Sequence, residues 1–152
     1  MKTFLAVGLF ISTICVSNSA NAQQFRQQDL YGTWQIVAYR LGDGISVGPR
    51  EAKRLVGKRI RFSAQRAMSG REVCAQPVYE SKRISIEQFF REFKTSPKSI
   101  GIKRDYIDLL NVQCGGTAWT VPGSLLLKNS NGQMLTLWDG VFFVLKKQSS
   151  RG

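Results

Sequence analysis

From residue 30 onward, apolar and polar residues alternate in short runs separated by glycine-bearing turns. Gly57 to Ala64 shows this most plainly. Ile60 and Phe62 fall on one side of an extended segment, and Arg59 and Arg61 fall on the other. Gly32 to Tyr39 is rich in β-branched and aromatic residues and predicts another strand, with Trp34, Ile36 and Ala38 facing away from Gln35, Val37 and Tyr39. Further strands are predicted over Val78 to Ile84, Tyr106 to Gln113, Thr117 to Val121, Ser124 to Lys128, Gln133 to Trp138 and Val141 to Lys147. Asn131-Gly132 and Asp139-Gly140 mark tight hairpins between the last three. Ala67 to Arg71 reads as a turn, and Cys74 and Pro77 fall in an irregular stretch. Gly42-Asp43-Gly44 and Gly48-Pro49 bound a loop, and Glu51 to Val56 suits a single helical turn.

The period changes clearly once. Ile86, Phe89, Phe90 and Phe93 sit at i, i+3, i+4 and i+7, so a helix is predicted to Phe93, capped by Ser85 with Gln88 at the capping-box position. Its stripe reads as core packing, or as a lid over an open barrel end, rather than a ligand site. Thr95 to Ser99 breaks it. About eight strands and one short amphipathic helix predict a mainly β chain: a small antiparallel β-barrel or strongly curved sheet, with an α+β arrangement also permitted.

The N-terminus assigns a compartment. Lys2, the apolar run Phe4 to Val16 and the small-residue pattern Ala20-Asn21-Ala22 predict a signal peptide over residues 1–22, with export to the periplasm or beyond. The run is too short to span a membrane, and no transmembrane segment follows it. Residues 23–152 form a single expected domain. Cleavage removes Cys15 and leaves Cys74 and Cys114, which an oxidising compartment is expected to join as a disulfide. The chain has no histidine and only ten carboxylates, most beside Lys or Arg. With neither a nucleophile–base pair nor a metal constellation, no catalytic residue, no metal and no cofactor is expected.

The exported part carries +11, since Lys2 is the leader's only charge. Arg50 to Arg104 holds 15 of its 21 basic residues against five acids. Arg59, Arg61, Lys82, Arg83, Lys103 and Arg104 are the anion-binding candidates, because guanidinium forks match phosphate, sulfate or carboxylate oxygens in pairs. The expected partner is an envelope or extracellular polyanion; a solvated basic face without a partner fits the same residues. Nucleic acid is disfavoured by export and by the lack of any RNA-binding or zinc-finger signature.

Gly32-x-Trp34, ten residues into the mature chain, resembles the opening of lipocalin and calycin barrels. In that group the tryptophan plugs one barrel end and a basic residue of the last strand packs over it, a place suited here to Lys146 or Lys147. Trp138 to Leu145 is similar to the final hairpin of bacterial lipocalin-like proteins. The chain is shorter than a typical lipocalin and places a helix where that group has a hairpin. The resemblance implies a lipocalin-like barrel in which Trp34, Phe62, Tyr106, Trp119, Trp138 and Phe143 either line an apolar pocket or fill the core. A non-enzymatic binding protein with a basic face is thus expected. The alternatives are a carrier of a small apolar ligand, and an inhibitor of an extracytoplasmic protease or a host-interaction protein using Gly42 to Pro49 or Gly115 to Gly123.

Overall fold

The computed structural model describes residues 25–44 and 48–149. The expected leader with Cys15 lies outside the described residues, as do positions 45–47 of the loop after Gly42. The strands are β1 (Gly32–Leu41), β2 (Arg59–Phe62), β3 (Arg66–Ser69), β4 (Glu72–Ala75), β5 (Val78–Ser85), β6 (Tyr106–Cys114), β7 (Thr117–Ala118), β8 (Leu125–Lys128), β9 (Met134–Trp138) and β10 (Val141–Lys147). Helices α1 (Gln27–Leu30), α2 (Pro49–Leu55) and α3 (Ile86–Phe93) and a 3₁₀ turn (Pro97–Ile100) complete the described elements. No helix among the described residues is long and apolar enough to cross a membrane.

All pairings are antiparallel, in the order β4-β3-β2-β1-β10-β9-β8-β6-β5, with β7 added to β6. The terminal strands of this order, β4 and β5, are neighbours in sequence, so the sheet curls into a half-barrel. No strand ladder joins β4 to β5. Instead the Cys74–Cys114 disulfide crosses the seam with Cα atoms 5.5 Å apart. The Tyr79 hydroxyl reaches over to donate to the Ser63 carbonyl at 2.8 Å.

Each face of the sheet has its own apolar cluster. Trp34, Ile36, Ile60, Phe62, Leu126, Phe143 and Leu145 pack inside the curl. Outside β5, β6, β8, β9 and β10, a second cluster joins Ile84, Ile107, Leu127, Leu135 and Phe142 to Phe89 of α3 and to Ile100 and Ile102. The helix therefore covers the outer wall. Ser85 caps it as expected, accepting from the Gln88 amide at 3.1 Å, but the Gln88 side chain turns to Glu92 rather than back to the cap. Of the expected stripe, Phe89 is fully buried, Ile86 and Phe93 pack at the margin, and Phe90 is 52% exposed. An eight-residue helix lying on a sheet buries a narrow strip, and Phe90 falls off it.

Three further expectations need correction. Ala67 to Arg71 is not a turn but mostly strand β3, and Cys74 lies in strand β4; the turn is confined to Gly70-Arg71. Each strand buries one small residue, Ala67 or Cys74, so the alternation is too faint to read. In β1 a register shift between Ile36 and Ala38 reverses the faces beyond it. Ala38 is exposed and Tyr39 packs on the inner cluster, contrary to unbroken alternation.

Candidate functional site

Among the described residues, no helix covers the outer face of the wall formed by β4, β3, β2, β1 and the end of β10 as α3 covers the other half. Its outward positions follow from the pleat: with Trp34, Ile60, Ala67 and Cys74 buried, their strand neighbours point to water. These are Thr33 and Gln35 on β1, Arg59 and Arg61 on β2, Arg66 and Met68 on β3, Val73 and Ala75 on β4, and Lys146 on β10. Four are cationic and none is acidic. Register sets them in rows: Arg59 opposite Gln35, itself opposite Lys146, and Arg61 between Thr33 and Met68. Among the described residues, no ion pair engages Arg59, Arg61, Arg66 or Lys146.

Arg59, Arg61, Thr33, Met68 and Gln148 line an open groove of about 840 Å³ on this wall. Alternate strand positions set the two arginine Cα atoms about 6.6 Å apart. Arg61 Nε donates to Thr33 Oγ1 at 3.3 Å, which holds its guanidinium over the groove floor. Two guanidinium forks beside a hydroxyl and an amide make a donor-rich surface suited to oxyanions.

The other four anion-binding candidates lie elsewhere. Arg83 is engaged by Asp108, with Nε–Oδ1 at 2.6 Å and Nη2–Oδ2 at 2.9 Å, and stacks 4.1 Å from the Tyr106 ring centre. The hydrogen bond to Asp108 holds its proton more tightly than usual. Lys82 lies 3.9 Å from Glu92. Lys103 and Arg104 border a different groove beside α3. The six cations thus occupy separate places, and only Arg59 and Arg61 share a wall free of carboxylates. Arg66 and Lys146 complete that wall and were not among the sequence candidates. Arg66 fell between the strand read to Ala64 and the turn read from Ala67, which gave it no face, and only the β1–β10 pairing brings Lys146 near.

Among the apolar candidates, Trp34, Phe62, Trp119 and Phe143 pack together inside the curl, with Trp138 half-buried at the margin. Tyr106 stands apart, under Arg83. Trp34 Nε1 donates to the Leu30 carbonyl at 2.7 Å, which fastens α1 to the start of β1. Lys147, directly opposite on β10, sets Nζ 5.5 Å from the indole centre and donates to the Asp29 carbonyl at 2.9 Å. Gly32 is required here. Its φ is +129°, and a Cβ would lie 3.0 Å from Lys147 Cε.

No family model, curated protein or solved structure matches this chain. The functional reading therefore rests on the site itself. Among the described residues, no group of three or more His, Cys, Asp or Glu side chains is placed to hold a metal ion.

Proposed function

We propose that this chain is an exported, non-enzymatic binding protein with a lipocalin-like half-barrel, whose open wall engages an anionic partner through Arg59 and Arg61. The carrying observation is the carboxylate-free wall: four cations on adjacent strands without intervening acids, two of them lining a groove with Thr33 and Gln148. Most basic surfaces intersperse acids that cancel the field at short range, and this wall has none at its outward positions. The lipocalin-like part of the reading is supported by Gly32-x-Trp34, closed by Lys147 over the indole. The partner class is an envelope or extracellular polyanion bearing phosphate, sulfate or carboxylate groups.

The test is retention on immobilised heparin and on lipopolysaccharide across a salt series, comparing wild type with Arg59→Glu/Arg61→Glu and with Lys103→Glu/Arg104→Glu. Wild-type retention is expected to weaken steeply with salt. The first variant should lower the log–log salt slope by roughly 2 for two lost contacts, and the second should leave it nearly unchanged. Equal losses from both variants would reduce the wall to generic basicity, and salt-independent retention would overturn the proposal.

A further inference from the structure

A second groove lies on the opposite side of the sheet, where α3 meets the chain that follows it. It encloses about 590 Å³, within the range of small-molecule sites. Ile86, Pro97 and Ile102 supply its apolar surface, and Lys98, Lys103 and Arg104 its cations; Asp105 is the one carboxylate lining it. The frame is tied at three points. The Ile86 amide donates to the Asp105 carbonyl at 3.3 Å, Ile102 to Pro97 at 2.9 Å, and the Lys103 amide to Ser130 Oγ at 2.6 Å. These bonds join the helix start, the 3₁₀ turn and the β8–β9 hairpin, so the groove is preformed rather than a gap between loose loops.

We propose that this groove binds a single-chain amphiphile with an anionic head: an alkyl phosphate, alkyl sulfate or long-chain carboxylate. The charge balance selects the head. Three cations against one carboxylate favour an anion and repel a cationic head. Half-buried Ile86 and Pro97 select the tail, because a wholly polar ligand would leave their exposed surface in contact with water. This site lies outside the barrel. It therefore neither depends on an open interior nor shares a residue with the Arg59–Arg61 wall.

The test titrates n-dodecyl phosphate, below its micelle concentration, into the mature disulfide-bonded chain by calorimetry. Dodecanol and inorganic phosphate serve as the tail-only and head-only ligands. Saturable one-to-one binding of dodecyl phosphate is expected, at least tenfold tighter than either control. Lys103→Glu/Arg104→Glu should weaken it by about tenfold or more, and Ile86→Asp, at a half-buried helix start, should do likewise. Arg59→Glu/Arg61→Glu should leave it unchanged, so failure here and failure of the polyanion reading are separately visible. Circular dichroism and thermal unfolding establish that each variant folds. If Ile86→Asp does not, the double charge reversal on the exposed residues decides alone. Undiminished affinity in the folded groove variants, equal binding of dodecanol, or no saturable binding would overturn the proposal.

Discussion

Reducing Cys74–Cys114 removes the one covalent tie across a seam that has no strand ladder. The two cysteines are separated by 40 positions, and the loop-closure estimate for that length is about 4 kcal/mol of lost stability at 25 °C. In a domain of this size the melting temperature should fall by roughly 10–20 °C. The loss should also be local. Strand β4 is hydrogen-bonded only to β3, and together they bury chiefly Ala67 and Cys74, so the β3–β4 hairpin should open before the rest of the sheet. The assay compares oxidised protein with protein reduced in denaturant and refolded under reductant, by urea unfolding and amide exchange. Cys74→Ala/Cys114→Ala is the thiol-free control, expected to lose slightly more because Cys74 is fully buried. A reduced chain within about 1 kcal/mol of the oxidised one, with Arg66 to Ala75 amides still protected, would refute the view that the disulfide closes the half-barrel.

Two further expectations follow from the packing. Gly123→Ala should destabilise the protein by about 1–3 kcal/mol, since φ is +105° and the added Cβ would lie 2.9 Å from Ile60 Cγ2; chemical denaturation reads the loss, and a neutral result would contradict this packing. Burial, reinforced by neighbouring Tyr31, pushes the Tyr79 phenol up to about 12 from an ordinary value of 10.0. Its contribution to stability is complete below pH 10 and is lost as pH rises toward 12, because the unfolded chain ionises first. Tyr79→Phe should cost about 1 kcal/mol at neutral pH through the lost bond to the Ser63 carbonyl, and should flatten the alkaline decline relative to wild type. A decline of unchanged steepness would remove Tyr79 as its source.

Much of the sheet was legible because its strands alternate strongly and its hairpins carry their own turn residues. The strand from Val141 to Lys147 has the boundaries expected of it, and the strands on either side of Asn131-Gly132 pair as their turn implies. Ser85 marked the helix start because a cap acts on its own next turn, within four residues of chain. The hairpin of β3 and β4 escaped notice because it lies at the sheet's edge and buries little. The β1 bulge escaped because only its partner strand defines where register slips. The site divided in the same way. Arg59 and Arg61 were legible from alternation within one strand, whereas Arg66 and Lys146 reach the same wall only through pairings between segments distant in sequence.

The chain by itself determined what a local window can hold: most strand faces, turn chemistry, the helix cap and a strongly basic composition. Tertiary structure decided which cations stand free. Arg83 and Arg61 look alike in sequence, yet one faces Asp108 across a strand pair and the other faces Thr33. It also decided which wall stays open, because among the described residues α3 lies over one half of the sheet and no helix lies over the outside of the other. The physical reason is range. Propensity and alternation act over a few residues, whereas a charge's neighbours and a face's cover are fixed by strand pairings that the curl brings together from opposite ends of the chain.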